Sequence, residues 1–228
     1  AMSARLAHEI RNPLSSITLN IDLIGDEITT LATDKAGAAD EARLLLRSID
    51  SEVRRIQRVT EDYLQFARMP KPRRERISLN DAISQGLSFM ASLFAATGVK
   101  VETNLDASLP PINGDEGQLW QAVLNLVRNA IEAMPEGGTL TVRTARARSG
   151  IALTIADTGK GMAAEDREHI FKPFFSTKPS GTGLGLPLVQ QVVAEHGGTI
   201  RCESTPNQGT TFVIELPCVK ESIHAPKS

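Results

Sequence analysis

The stretch His8-Glu9-Ile10-Arg11-Asn12-Pro13-Leu14 lies within the amphipathic pattern that decides the fold of the N-terminal third of the chain. Apolar residues recur here at intervals of three and four, which is typical of one face of an α-helix. The series comprises Leu6, Ile10, Leu14, Ile17, Ile21, Ile24, Ile28 and Leu31. Small and polar residues break the pattern over 32–40, and a second apolar series then runs from Leu45 to Leu64. The sequence therefore predicts a helical hairpin over residues 1–70.

Each helix of this hairpin carries one long apolar stripe and a charged back. A single hairpin of this kind buries little of its stripe, whereas two hairpins together form a four-helix bundle with the stripes inside. We therefore expect a homodimer with a symmetric interface.

Three polar residues of the opening stretch, His8, Glu9 and Asn12, suggest a catalytic site. Residues four apart on a helix share a face, so His8 and Asn12 project together, with Glu9 beside the histidine. Pro13 cannot donate to the carbonyl of Glu9, and its ring crowds that carbonyl, so the helix is expected to bend there. Glu9 can accept the proton of one ring nitrogen and leave the lone pair of the other free to attack phosphorus. Asn12 could hold a water molecule in line with a phosphohistidine. Taken alone, the pattern also fits an exposed surface histidine.

The composition of the 228-residue chain is ordinary for a soluble protein, with 41% hydrophobic and 23% charged residues. A net charge of −2 gives no electrostatic reason to expect nucleic acid as a partner. No run of about 18 apolar residues occurs, so no membrane-spanning helix is expected. Cys202 and Cys218 lie in apolar stretches and are expected to be reduced thiols. We expect a cytoplasmic chain that begins in the middle of a longer protein, with any membrane anchor outside it.

The pattern becomes mixed α/β after a proline-rich, basic and exposed connector at residues 71–76. A second domain is predicted over 77–218, followed by a frayed tail over 219–228. Helices are expected from Asn80 or Asp81 to about Thr97, from Asp115 to Met134 and from Leu184 to His196. Strands are expected at 99–105, 139–147, 151–156, 198–204 and 210–216.

Two asparagines lie one turn apart on the second of these helices. Asn125 and Asn129 adjoin an apolar face formed by Leu124, Val127 and Ile131. Asparagine is a mediocre helix former, so two on one side need an explanation. Their amide oxygens suit Mg²⁺, which keeps water ligands and bridges phosphates. Two exposed asparagines without a ligand remain the alternative.

The stretch Asp157-Thr158-Gly159-Lys160-Gly161 follows an apolar strand. A carboxylate held at a strand end can accept a hydrogen bond from an adenine amino group, and the glycines let backbone approach a flat ring closely. A plain turn after a strand would look similar.

A glycine-rich loop, Gly181-Thr182-Gly183-Leu184-Gly185-Leu186, directly precedes the third helix. Glycines ahead of a helix N-terminus expose N–H groups to a polyphosphate, and the helix dipole favours the negative charge. The preceding stretch at 171–178, Phe-Lys-Pro-Phe-Phe-Ser-Thr-Lys, fits no helix or strand period. It is predicted to be a mobile lid with Phe171, Phe174 and Phe175 at its base. Lys178 is placed to reach a phosphate, unless it is merely a surface lysine.

Taken in order, these stretches resemble the motifs of the transmitter core of two-component sensor histidine kinases, of the nitrogen-regulation and oxygen-sensing type. The matching stretches are HEIRNPL (H-box, 8–14), QAVLNLVRNAIEA (N-box, 121–133), DTGKGM (G1 box, 157–162), FKPFF (F-box, 171–175) and GTGLGL (G2 box, 181–186). The resemblance implies an α+β architecture, in which a helical hairpin dimerises into a four-helix bundle. A Bergerat-type (GHKL) ATP-binding domain follows, with a layer of three helices on a mixed sheet. ATP, Mg²⁺ and the receiver domain of a response regulator are the implied cofactors and partner.

The resemblance also implies roles for individual residues. His8 is the phosphorylated histidine, Glu9 its acid/base partner, and Asn12 matches the position used to dephosphorylate the regulator. Asn129 is the principal Mg²⁺ ligand, and Asp157 binds the adenine amino group. The residues implied to bind the cofactor are Asn125, Asn129, Asp157, Gly159, Gly161, Lys178, Gly181, Thr182, Gly183, Leu184 and Gly185.

One position departs from the family pattern. Many members carry a lysine three residues after the second N-box asparagine, where this chain has Glu132. Lys178 is the candidate for the missing cation.

Two other functions are weighed against phosphotransfer. ATPases of the same superfamily carry a glutamate four residues before the metal-binding asparagine, as the base for water, whereas this chain has Asn125. An amide cannot take a proton from water, so transfer to His8 is favoured over hydrolysis. A dimeric scaffold that only binds nucleotide would be expected to have lost a motif, and every motif is present.

Overall fold

The computed structural model describes residues 13–24, 38–67, 69–148, 150–178 and 181–219. The chain divides into two compact units. The first unit takes its described residues from Ala1–Met69 and Phe174–Leu184, and the second takes them from Pro70–Pro173 and Gly185–Ser228. The segment Phe174–Leu184, which lies inside the second domain predicted from the sequence, therefore belongs to the first unit.

Helices α1, over residues 13–24, and α2, over Ala38–Ala67, make up most of the first unit. The Asn20 side chain on α1 donates to Ser48 Oγ on α2 at 3.0 Å, which joins the two arms. Val59 on α2 is 2% exposed and lies in the core of this unit. The two helices expected from the apolar series are thus confirmed over 13–24 and 38–67.

The second unit begins with a short strand and then contains both helices and strands. Its elements are β1 Glu75–Ile77, α3 Leu79–Phe89, α4 Ala91–Thr97, β2 Val99–Leu105, β3 Ile112–Gly114, α5 Glu116–Ala133, β4 Gly138–Ala147, β5 Gly150–Asp157, α6 Ala164–Arg167, α7 Gly185–Glu195, β6 Thr199–Thr205 and β7 Gly209–Pro217.

Five strands of the second unit form one mixed sheet in the order β2-β4-β5-β7-β6. β2 and β4 are parallel, and the other neighbours are antiparallel. Alternate residues of the central strands, such as Leu140, Val142, Leu153 and Ile155, are buried, as expected for a sheet with one covered face. α5 packs on this sheet between α3 and α7. The predicted α+β fold with a layer of three helices is therefore confirmed.

The helix predicted from Asn80 or Asp81 to Thr97 differs in its start and is interrupted. Ser78 is the N-cap, because its Oγ accepts from the Asp81 N–H at 3.3 Å. The Asn80 side chain instead donates to the carbonyl of Asp106 at 2.8 Å. Met90, with φ −88° and ψ 1°, separates α3 from α4. Ser, Asn and Asp are all good caps, so the local sequence could not choose among them.

The connector predicted at 71–76 is attached along its backbone to the second unit. Its last residues belong to β1, which pairs with β3. The Arg73 N–H donates to Asp115 Oδ2 at 2.9 Å, and Gln118 Nε2 donates to the carbonyl of Pro70 at 2.9 Å. The side chains of Arg73 and Arg74 are exposed as expected, but the chain that carries them is tied down.

Within the described ranges, no helix combines the length and apolar character needed to cross a membrane. Both cysteines are free thiols. Burial raises the pKa of the Cys202 thiol to about 12, so this group stays protonated at neutral pH.

Asp115 anchors the start of α5 through both its backbone and its side chain. Its Oδ1 accepts from the Gln118 N–H at 3.0 Å, and its own N–H donates to Nε2 of His196 at 2.9 Å. The His196 ring is 4% exposed and its Nδ1 lies 2.8 Å from the Val192 carbonyl, so Nδ1 carries the proton. Burial alone would raise the pKa of the Asp115 carboxyl, but N–H donors from Gln118 and Arg73 outweigh it and lower that pKa.

Replacing this cap should weaken folding in a pH-dependent way. We expect Asp115→Ala to lower the free energy of unfolding by about 1–2 kcal/mol at pH 7, because two N–H groups lose their acceptor. Since the folded-state pKa of Asp115 is depressed, the charge-dependent part of this stability is present above its ordinary value of 3.8 and disappears as the pH falls through the folded value. Urea unfolding at pH 7 and pH 3 measures the difference. Asp115→Asn keeps a neutral cap and is the control; a wild-type advantage over Asp115→Asn that persists undiminished at pH 3 would contradict the role of the charge.

Candidate functional site

α5 presents the two predicted asparagines at the edge of its buried face. Asn125 and Asn129 are half-buried, whereas Leu126, Val127 and Ala130 are buried. The apolar face enters the core and leaves the two amides, one turn apart, along its border.

The Asn125 side chain has a defined orientation. Its Nδ2 donates to the carbonyl of Gln121 at 3.0 Å, in the preceding turn of the helix. Its Oδ1 lies toward the first residue of α7, because a Cβ built on Gly185 would be 3.2 Å from that oxygen. The absence of a side chain at Gly185 therefore leaves room beside the amide oxygen.

This corner fits a Mg²⁺–phosphate group. Amide oxygens are hard ligands, and Mg²⁺ keeps water and phosphate oxygens in its remaining positions. α7 is 11 residues long and begins at Gly185, so its N-terminus favours an anion beside Asn125. The role of Asn129 as metal ligand remains a prediction.

Asp157 ends β5 with a fixed carboxylate. Its Oδ1 accepts from the N–H groups of Gly159 at 2.9 Å and of Thr210 at 3.2 Å. The following loop is seated on the end of α5, because the Lys160 N–H donates to the carbonyl of Ala133 at 3.1 Å. Ala133 is one turn beyond Asn129, so a single helix supports both the asparagines and the loop that holds Asp157.

The glycines of this loop are required by the fold itself. A Cβ on Gly159 would lie 2.6 Å from the Ala133 carbonyl oxygen. Gly161 has a φ of +63°, and a Cβ there would lie 2.0 Å from the carbonyl oxygen of Thr205. The sequence suggests that these glycines admit a flat ring; the structure gives a separate reason, which is contact with the chain's own backbone.

In the first unit, the segment Phe174–Leu184 is closed at its base by a backbone pair. The Phe174 N–H donates to the carbonyl of Gly183 at 2.9 Å. Gly183 has a φ of +67°, and a Cβ there would lie 2.5 Å from the carbonyl carbon of Phe174, so only glycine fits. Between these ends, the Gly181 N–H donates to the carbonyl of half-buried Lys178 at 3.1 Å.

Thr182 links the same segment to α2. Its Oγ1 donates to Asp62 Oδ2 at 2.6 Å and accepts from the Leu184 N–H at 3.4 Å. Leu184 is 1% exposed, which holds this end of the segment in place.

The structure thus places the predicted site residues in three groups. Those of the second unit surround α5 and the start of α7: Asn125, Asn129, Asp157, Gly159, Gly161 and Gly185. Those of the first unit lie in Phe174–Leu184: Lys178, Gly181, Thr182, Gly183 and Leu184. The predicted catalytic residues His8, Glu9 and Asn12 lie outside the described residues, as does the chain before the expected bend at Pro13.

Two residues that form hydrogen bonds with predicted site residues were not themselves predicted from the sequence. Thr210 holds the Asp157 carboxylate from 53 residues away, and Asp62 binds Thr182 from 120 residues away. No local pattern marks either pairing. Glu132 is exposed on α5. That Lys178 supplies the cation which many family members carry at position 132 remains a prediction.

Two family models match the chain. Residues 1–72 match the His Kinase A (phospho-acceptor) domain. Residues 114–220 match the Histidine kinase-, DNA gyrase B-, and HSP90-like ATPase family. Sensor histidine kinase ZraS of Escherichia coli (strain K12) is 34% identical over 216 residues, which cover 95% of this chain and 45% of that protein. The chain belongs to the sensor histidine kinases. It spans about half the length of the curated relatives it matches.

Solved structures of histidine kinases share the fold. Full-length ShkA in complex with AMPPNP matches with a TM-score of 0.67 and 27% identity, over 94% of this chain and 45% of that chain. Histidine kinase ThkA in complex with response regulator protein TrrA matches with a TM-score of 0.71 and 25% identity, over 95% of this chain and 60% of that chain.

The close approach at Gly159 can be tested with a matched pair of alanine substitutions. We expect Gly159→Ala to destabilise the protein by about 1–3 kcal/mol, because the added methyl group must displace the loop from α5. Gly117→Ala lies in the first turn of α5, where the new Cβ would be 3.5 Å from its nearest neighbour. This control should be neutral or more stable by up to about 1 kcal/mol. Urea midpoints of the two variants compare them, and equal stability would refute the steric role of Gly159.

Proposed function

We propose that this transmitter core uses ATP to phosphorylate His8 and then transfers the phosphoryl group to an aspartate of a response regulator. The observation that carries the proposal is the amide at position 125. Asn125 lies beside the N-terminus of α7, where a hydrolytic relative would need a base for water, and its Nδ2 is engaged with Gln121. A nucleotide site without that base is suited to transfer to a separate nucleophile, which is His8.

The nucleotide would be held by groups of the second unit. Asp157 would accept the hydrogen bond of the adenine amino group, and its fixed carboxylate supports this role. Asn129 would ligate Mg²⁺, with Asn125 beside the metal and the phosphates. When bound, Mg²⁺ would neutralise phosphate charge. The match to the ATPase family and the ShkA–AMPPNP complex support a nucleotide in this domain.

In the transfer step, a ring nitrogen of His8 attacks the γ-phosphorus in line, the phosphorus–nitrogen bond forms, and ADP leaves. Glu9 accepts the proton of the other ring nitrogen and keeps the attacking lone pair available. The phosphoryl group then passes to a carboxylate oxygen of the regulator. The relative ThkA, which was crystallised with response regulator TrrA, supports a partner of this class. Asn12 would orient water for dephosphorylation of the regulator.

Incubation with γ-labelled ATP and Mg²⁺ tests this function. We expect an acid-labile, base-stable label on the wild type and none on His8→Ala or Asn129→Ala, because a phosphoramidate needs the ring and the reaction needs the metal ligand. Asn12→Ala should label normally but dephosphorylate the phosphorylated regulator more slowly. Label that survives acid, or that persists in His8→Ala, would contradict phosphorylation of His8. Equal loss of labelling and dephosphorylation in Asn12→Ala would refute its separate role.

We also infer that the chain works as a homodimer through the hairpin. Four members of the two predicted stripes are exposed in the single chain: Leu14 by 49%, Ile21 by 55%, Val53 by 40% and Leu64 by 43%. Apolar side chains aligned along two helices at these exposures match the second hairpin of a four-helix bundle.

A charge on the apolar stripe of α1 should separate the dimer, whereas the same charge on the opposite side of α1 should not. We expect Ile21→Glu to sediment as a monomer at concentrations where the wild type is a dimer, because a carboxylate would be buried at the interface. Leu19→Glu is the matched control, since Leu19 is 59% exposed but lies two residues away, on the opposite side of α1. Sedimentation velocity distinguishes them. Dissociation by both variants, or by neither, would contradict the proposed interface.

A further inference from the structure

The side chain of Ser204, near the end of β6, joins the loop after β5 to the start of β7. Its Oγ accepts from the Met162 N–H at 2.9 Å and donates to the carbonyl of Gly209 at 2.9 Å. The same oxygen lies 3.0 Å from Oγ1 of Thr210. One half-buried hydroxyl therefore contacts three groups on two separate parts of the second unit.

The hydrogen-bonding capacity of Ser204 sets the direction of its bond to Thr210. A serine hydroxyl has one proton and two lone pairs. The proton is donated to the Gly209 carbonyl, and one lone pair accepts from the Met162 N–H. The other lone pair is left to accept, so the Thr210 hydroxyl is the donor to Ser204. Thr210 is only 6% exposed, so removal of the Ser204 hydroxyl would take the acceptor from a buried donor.

Both groups that donate to Ser204 are connected to the Asp157 carboxylate. The Thr210 N–H donates to Oδ1 of Asp157 at 3.2 Å. The Gly159 N–H donates to the same oxygen at 2.9 Å, and Gly159 lies on the loop that ends at Met162. Ser204 therefore acts on the orientation of Asp157 by two routes, through Thr210 and through the loop.

The turn between β6 and β7 lies against the same loop through backbone atoms. The Asn207 N–H donates to the carbonyl of Lys160 at 2.7 Å. The Thr205 carbonyl oxygen lies so near Gly161 that a Cβ there would be 2.0 Å from it. These backbone contacts do not involve the Ser204 side chain. A substitution at Ser204 is therefore expected to loosen the loop without unfolding the domain.

A base that binds through Asp157 has to present a hydrogen, because an ionised carboxylate only accepts. The 6-amino group of adenine presents one, whereas the 6-oxo group of hypoxanthine or guanine is itself an acceptor. A site discriminates between such groups only when its own polar atoms are held in place. We propose that Ser204 is a positioning residue that fixes the orientation of Asp157 and thereby selects a 6-aminopurine over a 6-oxopurine. This inference rests on the role of Asp157 in the proposed function.

ADP and IDP, whose bases carry a 6-amino and a 6-oxo group, measure this selection. We expect Ser204→Ala, in the full chain, to bind ADP with Mg²⁺ about 3- to 10-fold more weakly than the wild type, as the weakening of one hydrogen bond implies. The affinity for IDP should stay the same or rise, because its base gains nothing from the fixed carboxylate. Isothermal titration calorimetry measures both affinities. Equal weakening of ADP and IDP, or unchanged binding of ADP, would overturn the selection.

A pair of substitutions with the same shape separates the hydroxyl from the size of the side chain. Ser204→Thr keeps the hydroxyl, whereas Ser204→Val places a methyl group where the threonine has its oxygen. The preference for ADP over IDP should be retained in Ser204→Thr and reduced in Ser204→Val. Equal preference in these two variants would refute the role of the hydroxyl. Thr199→Ala removes an exposed hydroxyl from the same strand and should bind both nucleotides like the wild type.

Hydrogen exchange without nucleotide tests the positioning role independently of the proposed function. Peptides covering 157–162 should exchange faster in Ser204→Ala and Ser204→Val than in the wild type or Ser204→Thr, because the Met162 N–H loses its acceptor. Unchanged exchange overturns the positioning role whatever the nucleotides do. If exchange responds but the wild type does not bind ADP, Ser204 still holds the loop, and both the proposed nucleotide function and the base selection fail.

Discussion

The hydrogen bond from the Asp115 N–H to Nε2 of His196 joins the start of α5 to the residue that follows α7. The histidine is buried, so a lost partner would leave an unsatisfied polar atom in the core, and the two helices are held together as one support. The Asp115 carboxylate caps α5 and also accepts from the backbone that enters the unit at Arg73. Asn125 and Asn129 on α5 and Gly185 at the start of α7 depend on the position of these two helices.

The C-terminal end of α5 supports the loop that follows β5. The Ala133 carbonyl, one turn beyond Asn129, accepts from the loop that follows Asp157 at the end of β5. Because Gly159 has no side chain, the loop can lie against the helix at this distance. The site is therefore built along one helix axis. In the proposed site, the residue at position 125 is an amide, which cannot deprotonate water.

The first unit combines a hairpin with a segment from much later in the chain. Thr182 is anchored by Asp62, and Gly183 pairs with Phe174 at the base of that segment. Both contacts lie within the first unit.

The sequence by itself determined the long helices and strands and the family motifs, because hydrophobic period and motif composition are local properties. β2 has the predicted bounds Val99–Leu105, and the helix with both asparagines lies where its apolar spacing requires. The bond of the Asn80 side chain to Asp106, the hold of Thr210 on Asp157 and the pairing of Asp62 with Thr182 were decided only by tertiary structure. In the last two cases the partners are 53 and 120 residues apart, and only the packed chain brings such groups within hydrogen-bonding distance.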